Sequence, residues 1–174
     1  MASAYPDGVE ERQAEHRPPL HRHASVVSVA VLGALLLTAM LGLLGGGRSP
    51  VERVEAQAAT LTVKMPRTLR SGLFFETDIT VAAKADIADA VIAIPPALWQ
   101  DETINSQIPA PESEEFKRGT FRFHYGALKA GETLHVKVDG QINPPLTIGT
   151  TGAVVLLDGE REIARMPLSI TVLP

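Results

Sequence analysis

The chain has 174 residues, a formal charge of −4 from 16 basic and 20 acidic side chains, and 45% hydrophobic residues. That length holds one domain with some additional segments, and the acidic balance excludes a strong nucleic-acid binder, which needs a basic face. Cysteine is absent, which excludes disulfides, thiolate metal sites and thiol nucleophiles and leaves the compartment open.

Residues 1–24 are polar, with Pro6, Pro18 and Pro19 and no apolar period. Such a composition predicts a disordered tail. Residues 25–47 read SVVSVAVLGALLLTAMLGLLGGG, and from Val26 to Leu44 no residue is charged. A helix over that run would be ~28 Å long at 1.5 Å per residue. The hydrocarbon core of a bilayer is ~30 Å thick, so the run predicts one transmembrane helix. A buried helix of a small soluble domain would need a polar face, and this one has none. A cleaved signal peptide is the other reading, with Ala56-Gln57-Ala58 as the small-residue cleavage pattern. That site lies well beyond Leu44, and the apolar run exceeds the ~7–15 residues of a signal core.

Arg12, Arg17 and Arg22 precede the run, and Arg48 and Arg53 follow it. This is a slight positive-inside bias, and a short tail ahead of a folded domain points the same way. The expectation is a single-pass protein of the plasma (inner) membrane with a cytoplasmic N-terminus. In a bacterium residues 50–174 would then be periplasmic or extracellular.

Residues 48–57 (RSPVERVEAQ) read as a linker, and residues 58–174 as the folded domain. There the pattern switches to period two. Leu61, Val63 and Met65 alternate with polar neighbours, as do Thr77, Ile79 and Val81. Ile92 and Ile94 follow in DAVIAIP, which is nearly all apolar and suits a central strand. Alternation resumes at Phe121, Phe123 and Tyr125, at Leu134, Val136 and Val138, and at Leu168, Ile170 and Val172, with an apolar run at Val154–Leu157. Asp158-Gly159 is a hairpin signature, and Pro66, Pro95-Pro96 and Pro144-Pro145 mark strand ends. The prediction is an all-β domain, an antiparallel Ig-like sandwich of about seven strands.

DAVIAIPPALW and GTFRFHYGALKAGETLHVKVDG carry a resemblance over roughly residues 60–142. The first resembles a strand ending in the Leu-Pro-x-x-Leu type of turn of bacterial Ig-like repeat modules. The second resembles the strand, G-x-L-x-x-G-E turn and strand that follow in them, with Gly126, Leu128, Gly131 and Glu132 at the patterned positions. The resemblance implies a spacer, docking or binding unit without catalytic residues. It departs from the modules in having a single copy and a long stretch after Trp99. The residues alone give the turn a structural part, with Leu128 plugging the end of the core and the glycines supplying backbone angles other residues avoid.

No G-x-S-x-G, H-E-x-x-H or glycine-rich phosphate loop is present, so no catalytic residue, cofactor or metal ligand is predicted. His124 and His135 stand opposite their strands' apolar residues. Joined by a short loop, they would be near each other and could hold a metal weakly, the plainer reading being two solvated histidines. His16, His21 and His23 cluster in the tail, where ordering a site costs entropy. Glu112, Glu114 and Glu115 read as a solvated loop. Asp86 and Asp89 lack the dense alternating ligands of a calcium loop.

Pro95–Gly119 is long for a loop and holds Trp99, the one tryptophan, with Ile104, Ile108 and Phe116. Thr103–Ile108 suits a short edge strand. Trp99 suits either the core or an interface anchor, and these four residues are the candidate partner-binding set. In the apolar run, Ala30, Ala34, Thr38 and Gly42 recur every four residues as a helix–helix face. Together these features predict a membrane-anchored, non-catalytic binding or assembly module for a membrane or envelope protein, in contact with the bilayer through its helix. The alternative is an exported ligand- or metal-binding domain of sensor type.

Overall fold

The computed structural model describes residues 19–146 and 148–174, with residues 19–24 given by backbone alone. The predicted tail up to residue 18, with His16, and the side chains of His21, Arg22 and His23 lie outside the described residues. The chain divides into two units, the second spanning Gly42–Pro174.

Helix α1, Pro19–Met40, has 22 residues. It begins within the segment read as tail, and Pro19 suits a first helical position because its fixed φ and missing N–H cost nothing there. Apolar side chains are exposed on every face, among them Val26, Val27, Val31, Leu35 and Leu36. The helix stops at Met40, earlier than the predicted residue 47. Gly42, Gly45 and Gly46 adopt φ values of 73°, 91° and 75°, a left-handed conformation that glycine adopts without a steric penalty. Among the described residues no helix is long and apolar enough to cross a membrane. The apolar part from Ser25 to Met40 is only ~24 Å long at 1.5 Å per residue.

The second unit is a two-layer β-sandwich. Its strands are β1 (Val51–Glu55), β2 (Ala59–Lys64), β3 (Thr68–Arg70), β4 (Phe74–Ala83), β5 (Ala90–Ile94), β6 (Glu102–Ile108), β7 (Ser113–Lys117), β8 (Thr120–His124), β9 (Thr133–Ile142), β10 (Ile148–Asp158) and β11 (Arg161–Leu173). One sheet has the order β1-β2-β4-β9-β6, the other β3-β11-β10-β5-β8-β7. The seven expected strands are present as β2, β4, β5, β8, β9, β10 and β11, the edge strand expected at Thr103–Ile108 is present as β6, and β1, β3 and β7 are added. Of the added strands, β1 occupies much of the expected linker and β7 falls in the expected long loop, both at sheet edges. The pairing is also not wholly antiparallel, since β3 runs parallel to β11.

Alternation builds the core. Leu61, Val63, Ile79, Val81, Val136 and Val138 face inward from the five-stranded sheet. Ile92, Ile94, Val154, Leu156, Met166, Leu168 and Ile170 meet them from the other. Burial of each such side chain contributes ~1.5–3 kcal/mol. In β5 every residue is buried. Its second face, Val91 and Ala93, joins Ala153, Val155 and Leu157 in a smaller apolar cluster. That explains the unbroken apolar run there.

The sandwich has two distinct ends. At the proximal end, the Leu44 carbonyl accepts a 2.9 Å hydrogen bond from Arg70 Nε, so the chain arriving from α1 joins the sandwich beside β3. Three further segments gather there. Ser71 N–H donates to Leu173, Gly72 N–H to Ile142, and Asn143 N–H to Asp101. The distal end holds the loops around Lys84–Asp89 and Gly126–Glu132 and the β10–β11 hairpin. Ile87 and Leu128 exchange backbone hydrogen bonds of 2.9 and 3.0 Å there. Leu128 does plug the core.

Candidate functional site

The side of the sandwich between the β6 and β7 edges carries most of its unusual chemistry. Pro95–Asp101 turns from β5 into β6 and lays Leu98 and Trp99 against the core. The Trp99 ring lies 5.3 Å from Phe123 and 6.2 Å from Phe121, and Phe121 lies 5.1 Å from Phe116. The aromatic run therefore passes from the buried Phe123 to Phe116, which is 61% exposed on β7. Offset and tilted rings at such separations are favourable pairs.

Beneath Trp99 lies Glu102, the first residue of β6. Its strand phase points it inward, into a cavity of about 10 Å³ lined by Met65, Phe75, Thr77, Leu98, Trp99 and Val138 among others. That is room for about one water. Both Glu102 carboxyl oxygens are buried and find no hydrogen-bond partner among the described residues. Burial pushes its pKa up to about 8, because an apolar surrounding disfavours the charged form. Further along β6, Gln107 donates to the Tyr125 hydroxyl and ties the two sheets together. Burial holds the Tyr125 hydroxyl neutral, with its pKa pushed up to about 12.

The four expected partner-binding residues divide. Trp99 and Ile104 are half-buried against the core. Ile108 is 60% exposed and Phe116 61%, on the edges of different sheets. Ile108 and Pro109 border a shallow trough of about 510 Å³ on the outer face of the five-stranded sheet, floored by Thr62, Thr80 and His135 between Lys64 and Lys137.

The expected helix face is shorter than the sequence suggested. Ala30 and Ala34 are exposed on α1, and the Thr38 hydroxyl donates to its own helix at the Leu35 carbonyl over 2.8 Å. Gly42 is not on the helix, since it lies in the turn that ends it.

The two histidines do not form a pair. The chain crosses between sheets from β8 to β9, so His124 and His135 stand in different layers. His135 Nδ1 lies 3.1 Å from the Thr80 hydroxyl. His124 lies between Asp89, at 2.7 Å from Nδ1, and Glu115, at 3.5 Å from Nε2. Glu115 and Glu114 belong to β7 instead of a free loop. Beside them the buried Arg122 donates to Glu160 over 2.8 Å. Lys117 and Arg122 hydrogen-bond Glu160 and hold its pKa down at about 2. Asp86 caps the opposite loop, accepting from Ala130 N–H at 2.9 Å and from Lys129 at 3.1 Å. Among the described residues no group of three or more His, Asp or Glu is placed to hold a metal ion.

Sequence reasoning did not single out Glu102. Its signal was phase: it precedes Ile104 by two, and residues two apart share a strand face.

No protein-family model and no curated protein matches the chain. Among solved structures, it is similar to a non-cellulosomal cohesin from the hyperthermophilic archaeon Archaeoglobus fulgidus, with a TM-score of 0.39 at 3% identity, over 74% of this chain and 93% of that one. A TM-score that low says nothing about activity or partner.

Proposed function

We propose that this chain is a non-catalytic binding or assembly module, a single-copy relative of the bacterial Ig-like modules, held at a membrane by α1. In this reading it docks a membrane or envelope protein along the β6–β7 side. One observation carries the docking: the aromatic run that surfaces at Phe116, beside an edge strand whose only acid, Glu102, points inward. Edge strands left without outward charge are open to pairing with another chain. Exposed aromatics at such a place supply anchor area.

Anchoring rests on the apolar faces of α1. Crossing a bilayer needs the helical residues before Ser25 as well. The tail would remain cytoplasmic and the sandwich exported. Protease protection of the sandwich in sealed membranes checks that orientation.

Docking is tested by purifying tagged full-length protein in mild detergent from its native membranes and identifying what comes with it. The wild type should bring a stoichiometric membrane protein, and the pair Ile108→Asp with Phe116→Asp should lose it while melting normally. A partner retained by that double variant removes the β6–β7 side from the proposal. A wild type that purifies alone favours a free-standing ligand-binding domain.

A further inference from the structure

The proximal end of the sandwich carries exposed apolar side chains from separate segments. Phe74 is 67% exposed, Leu73 40% and Ile148 87%. Pro96, Ala97, Pro144 and Pro145 are exposed as well. The backbone bonds between Ser71 and Leu173, Gly72 and Ile142, and Asn143 and Asp101 bring these segments together. Ile148 pairs in register with Val172, two residues from the C-terminal end. The distal loops differ completely, with Lys84, Asp86, Lys129, Glu132, Glu160 and Arg161 exposed.

The arriving chain says what covers the apolar end. Leu44, at the end of the uncharged run, is bonded by Arg70 at this same end. Exposed Leu and Phe side chains beside such an attachment would be solvated apolar surface in water, and they gain by entering the headgroup region of a bilayer. Arg70, which holds Leu44, is exposed, as is Arg48 shortly after Leu44 in the chain, and Asp101 is an exposed acid at this end. Guanidinium groups suit lipid phosphates.

We infer that the proximal end is a lipid-contacting surface, with Leu73, Phe74 and Ile148 dipping into the bilayer interface. This rests on the anchoring proposed above. The sandwich then sits with its apolar end on the membrane and its charged end in water. The β6–β7 side faces sideways, toward partners in the same membrane.

The absence of native cysteine makes any introduced one unique. Full-length Phe74→Cys, Ile148→Cys, Lys129→Cys and Ala34→Cys, each carrying an environment-sensitive fluorophore, would be reconstituted in phosphatidylcholine–phosphatidylglycerol vesicles. Spin-labelled lipid should quench the probes at 74 and 148 severalfold more than the distal probe at 129. Equal quenching at 74, 148 and 129 with strong quenching at Ala34 overturns this inference and leaves the anchor intact. Blue-shifted but unquenched probes at 74 and 148 overturn it too, since a protein would then cover the patch. An unquenched Ala34 probe removes the anchor, and the inference with it.

Discussion

The two ends of the sandwich close by opposite means. The distal end is clasped by hydrogen bonds: Asp86 receives the Ala130 amide and Lys129, Glu132 receives the Lys129 amide, and Asp158 receives the amides of Ala88 and Asp89. The proximal end is closed by apolar packing in which a carboxyl group is enclosed without a partner. Loop amides met by carboxylates are cheap to keep in water. An apolar closure with an orphaned acid costs stability, and such costs are retained where a surface has another use. The difference therefore points to the proximal end as the place where the sandwich meets something else.

The sharpest way to break the contrast is pH. Glu102 has its folded pKa raised from 4.5 to about 8. The folded form prefers the protonated acid, so its stability is complete below the usual carboxylate range and drains away as pH rises through about 8. The loss reaches up to about 4 kcal/mol, from ~1.4 kcal/mol per pH unit less relaxation. Denaturant melts across that window should show it, and Glu102→Gln should flatten it. Asp86 runs the other way. The Ala130 amide and then Lys129 hold its pKa below the usual carboxylate value. Its contribution is present near neutrality and lost as pH falls. A wild-type melt that stays flat between about pH 4.5 and 8 would show that Glu102 is solvated after all.

A smaller effect tests the packing. At Gly152 an added Cβ would stand 2.6 Å from Leu98 Cβ and 3.2 Å from Pro95 Cγ. Gly152→Ala should cost about 2 kcal/mol by lifting the Pro95–Asp101 turn. The emission of Trp99 should shift red with it. The smallest effect belongs to the distal end. Asp158→Ala frees two backbone amides and should cost about 1 kcal/mol, with the Trp99 spectrum unchanged, which keeps the two ends separable.

Most central strands were legible because they bury one face and so alternate, and β5 and β10 because they bury both and read as apolar runs. Of the edge strands, β6 was expected at Thr103–Ile108, but β1 and β7 were not, because they pair on one side and carry polar residues on both faces. VERVE read as linker and SEEFK as acidic loop for that reason, while β3, with three residues, is too short to show a period. The helix stop was misplaced because hydropathy continues through Leu41, Leu43 and Leu44, although the glycines beside them turn the backbone. Of the candidate site, Trp99, Ile108 and Phe116 were named from aromatic and apolar content. The inward Glu102 was hidden by its company in a polar dipeptide, and the supposed histidine pair failed because the change of sheet between β8 and β9 leaves no mark in composition.

The order of strand pairing has a consequence for how this chain comes to be folded. The β10–β11 hairpin closes on a tight turn, but β4 must wait for β9, and β3 for β11. Non-local pairing of this kind is slow. As the chain is made from its N-terminus, β1, β2 and β4 can pair early, but the second edge of β4 and both edges of β5 stay open until β8, β9 and β10 follow, from Thr120 onward. The domain should therefore fold as a late, all-at-once event, and its apolar strands need shelter from aggregation while they wait.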